Sequence, residues 1–217
     1  MSGTKIIFFV EQNHTKCGRR VKKRNNICFK LIMNIIGITG SIASGKTTVA
    51  NLMAGKNYPF FSADKVVSNL YKKNFFIKAL MKKFKFKQSK KIKEQIKLAL
   101  KKDKKNLYIL ETIVHPFVRK EMKIFLKKQN DLLFLEIPLL LESKLNKYFD
   151  KIVFVNASRK IRLRRYLKKN GNKKTFALLN KRQLIPSVKK KMCDYTINNN
   201  NSLPILKKTI KNFMKLL

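Results

Sequence analysis

Cysteine is scarce in this chain and poorly spaced for chemistry. Cys17, Cys28 and Cys193 form no C-x-x-C pair and have no histidine at zinc-ligand spacing. That excludes a zinc ribbon and a disulfide framework and leaves three small packing residues, a usage that fits a reducing cytoplasm. Long apolar runs are missing too. No uncharged stretch approaches the roughly 20 residues that a membrane-spanning helix needs, so a soluble protein with no membrane partner is expected. Acidic side chains are the third shortage: 11 Asp and Glu stand against 52 Lys and Arg, a net charge of +41. Such a surface attracts any polyanion, nucleic acid included. A nucleic-acid reader would be marked by arginine clusters, because the guanidinium fork gives bidentate contacts. Here lysine far outnumbers arginine, and Lys, Asn, Ile and Phe, all with AT-rich codons, are raised together. Compositional drift is the better reading, and no specific nucleic-acid partner is expected.

What is present is enough apolar material for one sizeable core. The 217 residues are 44% hydrophobic with 16 Phe, which argues against disorder and for one enzyme-sized unit. Residues 1–33 carry an apolar patch before a basic one, the reverse of a secretory signal, with no small-residue cleavage site. They are expected to be a disordered extension or a misassigned start, with Met33 as the natural first residue and a targeting segment as the rival. From Asn34 on, β-branched or aromatic runs alternate with lysine-studded helical patterns, the rhythm of a parallel sheet with crossover helices. Strands are expected at Asn34–Thr39, Tyr58–Phe61, Leu132–Ile137, Lys151–Val155 and Tyr195–Ile197. Residues 65–129 read as a helical insertion, with Ile77, Leu80, Met81, Phe84, Ile92, Ile96 and Leu100 at helical spacing. Residues 158–192 form a second one, dense in Arg and Lys and broken by Gly171 and Pro186. The run of asparagines at 198–201 reads as a polar loop.

The informative stretch is "GITGSIASGKTT". Gly40-x-x-x-x-Gly45-Lys46-Thr47 matches the P-loop pattern in full, after an apolar strand and before a segment able to open a helix. Glycines at these positions let consecutive N–H groups point inward and, with a helix N-terminus, cradle an anion. Lys46 is placed to reach β- and γ-phosphates, and the Thr47 hydroxyl to ligate Mg²⁺. "FFSADK" sets Asp64 at the end of the second strand, either at the ligand-binding edge of the sheet or as a cap of the next helix. "LLFLEIPLLLE" brings Glu136 to the end of the third strand, where P-loop proteins keep an acid near the metal. Glu142 reads as structural, capping or pairing within a following helix. His115 precedes Pro116 and is expected to be pinned at a helix break. "SRKIRLRRYLKK" puts Arg162 and Arg165 at i, i+3, either a cationic face that closes over phosphates or a solvated charge run.

Taken in order, "GITGSIASGKTTVANLM", "SADKVV", "IVHPFVR", "EIPLLLE", "VNASRKIRLRRYLKKNG" and "CDYTINNN" make the chain resemble the bacterial dephospho-coenzyme A kinases, from Asn34 nearly to the C-terminus. The resemblance implies an α/β P-loop NTPase fold over residues 34–217: a five-stranded parallel sheet flanked by helices, with residues 65–129 as the substrate-binding insertion and 158–192 as a lid. It also implies transfer of the γ-phosphoryl of ATP to the ribose 3′-hydroxyl of dephospho-coenzyme A, in a cytoplasmic monomer or small homo-oligomer. Ala43, Ser44, Gly45, Lys46, Thr47 and Thr48 would bind the ATP phosphates. Thr47 and Glu136 would serve Mg²⁺, and Asp64 would orient or deprotonate the 3′-hydroxyl. Arg165 would neutralise charge from the lid, and His115 would face substrate from the helical insertion. The chain departs from the family pattern at Ser62, where an acid is usual, at Arg162 in place of a glutamine, at Lys169 and Leu179 in place of arginines, and in the shorter insertion. Two alternatives compete: a nucleoside or nucleoside monophosphate kinase on the same scaffold, and a basic nucleic-acid-binding P-loop protein.

Overall fold

The structure is a computed structural model that describes residues 34–88, 90–103, 105–128 and 130–217. The expectations for residues 1–33, and for Cys17 and Cys28, lie outside the described residues. The chain runs β1 (Asn34–Gly40), α1 (Lys46–Ala54), β2 (Phe60–Ser62), α2 (Ala63–Leu70), α3 (Asn74–Phe84), α4 (Ile92–Lys102), α5 (Lys105–Phe125) and β3 (Leu132–Glu136). It continues through β4 (Lys151–Asn156), α6 (Arg159–Leu167), α7 (Lys173–Lys181), α8 (Pro186–Met192), β5 (Tyr195–Asn198) and α9 (Leu203–Met214). The sheet order is β2-β3-β1-β4-β5, with every pairing parallel.

Both faces of the sheet are covered, which is why its strands read as continuous apolar runs rather than alternating ones. The strand period of two divides β3 between them. Leu132 and Phe134 join Ile36, Ile38, Val153 and Val155 beneath α1 and α9. Leu133 and Leu135 face the core built with Phe76, Leu80, Ile96, Leu110 and Val114 from α3, α4 and α5. Gly37 points to this second side, where a Cβ would come within 2.8 Å of Leu140 and 2.9 Å of Phe149. The segment after β3 packs onto β1 only because that position has no side chain.

Local signals set the helix starts. Ser62, Ser158 and Asn172 cap α2, α6 and α7 by accepting from the backbone N–H of Lys65, Ile161 and Thr175. Pro186 and Pro204 sit in the first turns of α8 and α9, where a missing N–H is harmless.

Three sequence expectations need correction. The second strand begins at Phe60 rather than Tyr58, because Pro59 has no N–H for a ladder and contributes only its carbonyl, which accepts from Phe134 N–H at 3.1 Å. No break occurs at His115: α5 passes through Pro116 for 21 residues. Burial of Leu110, Val114 and Val118 along one stripe outweighs the hydrogen bond lost at the proline. Glu142 does not pair within a following helix, since turns and a short 3-10 segment follow β3. Its Oε1 instead lies 2.7 Å from Lys189 Nζ on α8 and accepts from Leu184 N–H at 3.0 Å.

The Lys189–Glu142 pair ties α8 to the segment after β3, with Lys189 fully buried. Burial also pushes the neighbouring Cys193 thiol up to about 11. Removing one member of a buried pair leaves an uncompensated charge, whereas removing both charges does not. Lys189→Met is therefore expected to cost about 3–5 kcal/mol in urea unfolding. The double variant Lys189→Met with Glu142→Gln, which keeps an acceptor for Leu184, should recover much of that loss.

Candidate phosphate-binding and catalytic site

Strand β1 is the point from which the sheet grows in both directions, with β3 on one side and β4 on the other. The crevice outside its carboxyl end is where open α/β sheets bind ligands. The turn from Ser41 to Gly45 fills that crevice. Gly40 enters it so close to β4 that a Cβ would lie 2.5 Å from the Val155 carbonyl and 2.7 Å from Ser44 Oγ. Ala43 and Gly45 take left-handed angles, φ 57° and φ 91°, and between them the Ser44 N–H closes the turn by donating to the Ser41 carbonyl at 3.1 Å. The first bond of α1 runs from Val49 N–H to the Gly45 carbonyl. The amides ahead of Val49 therefore have no carbonyl of this helix to reach. No side chain caps α1 and no acid occupies its first turn, so its positive end is directed into the crevice. Lys46 is buried beneath the turn and donates to the Ser41 carbonyl at 3.1 Å.

Two carboxylates face this turn. Glu136, at the end of β3, accepts from the Thr47 hydroxyl at 2.8 Å through Oε1 and from the Ser62 hydroxyl at 3.1 Å through Oε2. Ser62 thus serves twice, as cap of α2 and as donor to Glu136. A carboxylate in its place would stand against Glu136. Asp64, in the first turn of α2, lines the same cleft of about 610 Å³ as Lys46, Thr47, Glu136 and Arg165.

The opposite wall comes from α6 and the end of β5. Arg165 Nη1 donates to the Ser44 carbonyl at 3.4 Å and Nη2 to Asn199 Oδ1 at 3.3 Å, and Asn199 Nδ2 donates to Ser44 O at 2.8 Å. Burial and the neighbouring Arg164 hold the Arg165 guanidinium below its ordinary value. Tyr166, Lys168 and Lys169 extend this wall, while Leu203 and Leu206 of α9 give it an apolar floor. Arg162 is not part of the cationic face expected from its spacing. It is buried, with Nε donating to the Ala157 carbonyl at 3.0 Å and Nη1 to Asn180 Oδ1 at 2.7 Å, and Phe176 packs against its guanidinium.

The cleft gathers Ala43, Gly45, Lys46, Thr47, Thr48, Asp64, Glu136 and Arg165 from four segments of the sequence. Ser44 is buried in the turn itself. His115 is buried on α5 and is not among the residues lining this cleft. Two participants escaped the sequence reading. Asn199 lay in what looked like a polar loop, yet it is buried and bridges Ser44 to Arg165. Gln183 accepts from Ile42 N–H at 2.7 Å. The position of Asn199 one residue past the end of a strand, at the same sheet edge as Gly40 and Glu136, is the signal that could have found it.

The oxygen donors of Thr47 and Glu136 suit a hard cation. Among the described residues no group of three or more His, Cys, Asp or Glu could cage one. An ion here would take its remaining ligands from phosphates and water, which is the habit of Mg²⁺.

Comparison with known proteins bears on this geometry. A family model described as dephospho-CoA kinase, CoaE, matches residues 34–204. The chain is 36% identical over 178 residues to the dephospho-CoA kinase of Bartonella henselae, covering 79% of this chain and 91% of that one. It is 32% identical over 193 residues to the dephospho-CoA kinase of Agrobacterium fabrum, covering 86% and 99%. The solved dephospho-CoA kinase from Campylobacter jejuni superposes with a TM-score of 0.58 at 22% identity, covering 85% of this chain and 97% of that one.

Gly45 and Gly55 separate backbone strain from crowding at the turn. Both have positive φ, but a Cβ on Gly45 would strike the Asn199 amide whereas one on Gly55 meets nothing within 4 Å. Gly45→Ala should weaken inorganic triphosphate binding by about tenfold or more, from left-handed strain of about 1–2 kcal/mol plus the displaced asparagine. Gly55→Ala should leave that affinity unchanged. Isothermal titration of both variants checks this.

Proposed function

The chain belongs to the dephospho-CoA kinase family, and from that premise we infer that it transfers the γ-phosphoryl of ATP to the ribose 3′-hydroxyl of dephospho-coenzyme A, yielding coenzyme A and ADP. The observation that best supports this reading is the single cleft shared by a loop and helix end rich in N–H donors, Lys46, two carboxylates and Arg165. Phosphoryl transfer requires little beyond positioning and charge stabilisation, and this set supplies both.

In the proposed mechanism the amides of Ala43 and Gly45–Thr48 and the Lys46 ammonium hold the triphosphate, with Ser44 N–H closing the turn onto Ser41 and the α1 dipole adding positive potential. Asp64 accepts a hydrogen bond from the 3′-hydroxyl and takes its proton as the O3′–Pγ bond forms and the bond from Pγ to the β–γ bridging oxygen breaks. Arg165 faces the charge that gathers on the departing ADP. Its partners Ser44 and Asn199 hold the guanidinium plane before substrate arrives. Thr47 and Glu136 would hold Mg²⁺, which when bound neutralises phosphate oxygens. The α6–α7 arm forms a lid that keeps water from competing with the hydroxyl. We place His115 on the substrate side, within the 65–129 insertion, and we assign the reaction to the cytoplasm.

The assay is ATP-to-ADP turnover with Mg²⁺, with and without dephospho-coenzyme A, and mass detection of coenzyme A. Substrate-dependent formation of coenzyme A is expected. Product formed only from a nucleoside or nucleoside monophosphate would overturn the assignment in favour of a nucleotide kinase. ATP hydrolysis stimulated only by RNA or DNA would favour a nucleic-acid-dependent ATPase. Lys46→Ala should abolish turnover. Asp64→Asn should retain ATP binding yet lower kcat by about 10²–10⁴, the usual worth of a positioned base. Near-normal turnover in Asp64→Asn would remove that residue from the mechanism.

A further inference from the structure

The backbone of Ile42 is held on both sides by residues outside the glycine turn. Its N–H donates to Gln183 Oε1 at 2.7 Å, and its carbonyl accepts from Arg162 Nη1 at 3.4 Å. Resting on the assignment of this turn to the phosphates of ATP, we propose that Arg162 and Gln183 are positioning residues that fasten the α6–α7 arm to the phosphate cradle through Ile42.

Each anchor is itself tied to a different element. Arg162 is 3% exposed. It reaches the end of β4 through the Ala157 carbonyl and α7 through Asn180, with the Phe176 ring of α7 centred 5.7 Å from its guanidinium carbon. Gln183 stands where α7 hands over to α8. The next residue, Leu184, is fixed by its N–H to Glu142, which in turn holds the buried Lys189. The arm is therefore pinned at Asn180 and again at residues 183–184, on either side of its turn toward α8.

The consequence falls on the neighbouring residue. The Ile42 N–H is directed at Gln183, so the anion-facing donors begin at Ala43. Ala43 has φ 57°, a left-handed angle that a residue with a Cβ keeps only where its surroundings over-determine it. The Ile42 anchors on one side and the Asn199 and Arg165 contacts to Ser44 on the other provide that determination. Releasing Ile42 lets Ala43 relax to ordinary angles and turns donors away from the phosphates, without altering any residue that touches substrate.

The test uses the full chain with Gln183→Met, Arg162→Lys and Asn180→Ala. The last leaves the buried arginine and the turn unchanged, which guards against a variant that simply fails to fold. ATP affinity is read by titration calorimetry, KM for each substrate by steady-state assay, and the thermal midpoint by calorimetry. Each variant should raise the ATP Kd and KM about five- to tenfold, the scale of one hydrogen bond lost from a buried network. The KM for dephospho-coenzyme A should stay within about twofold. Asn180→Ala should add less in the Arg162→Lys background than alone, since both break one connection. If wild type binds ATP and the variants bind it equally well, or if both KM values rise together with a falling thermal midpoint, the coupling is refuted and only a folding role remains. If wild type itself binds no ATP, the parent assignment fails and the coupling falls with it.

Discussion

The approach of Gly40 to the Val155 carbonyl is the contact on which the rest of the site depends. Parallel pairing of β1 with β4 brings two backbones together at the point where the chain must leave the sheet, and only a residue without a Cβ passes. Because it passes there, the turn closes over Lys46 rather than swinging outward, and α1 starts with its positive end over the crevice. Glu136 is then brought against Thr47 by the same sheet, since its strand pairs with the other side of β1. One register on each flank of β1 thus sets where the positive and negative groups stand.

The chemistry-bearing half of this arrangement was legible in the sequence because it is local. A glycine-rich turn between an apolar strand and a helix states its own geometry, and Glu136 at a strand end follows from an apolar run of the right length, whereas Asp64, expected at a strand end, stands in the first turn of α2. Residues whose role depends on distant partners were not legible. Arg162 and Arg165 are both arginines on one short helix, and nothing in their spacing says that one is buried among Ala157, Asn180 and Phe176 while the other faces the cleft. Asn199 looked like one member of an asparagine run, although parallel pairing with β4 makes it a wall of the site. Ser62, set down as a lost acid, proves to be the hydroxyl that Glu136 requires at 3.1 Å. At Pro116 a strong local rule was overridden by the buried stripe of α5, the ordinary outcome when tertiary packing opposes a single lost hydrogen bond.

The buried pair Lys189–Glu142 and the Arg162 cluster show two ways of placing a cation inside the same fold. Lysine is fully buried and met by a carboxylate. Arginine is met by carbonyl and amide oxygens and the face of a ring, which suits a delocalised and weakly hydrated charge. The exchange of the two would be conservative only in formal charge.

Lysines of the cleft wall carry a different consequence. Lys168 and Lys169 line the cleft of a molecule with 52 basic and 11 acidic residues. Eleven carboxylates cannot neutralise 52 cations, so mobile anions from solution gather around them. A nucleotide entering the cleft therefore does not meet a bare positive surface. It displaces anions already condensed there, and the entropy of their release becomes part of what draws it in. Occupancy of the site is thereby tied to the ionic composition of its surroundings.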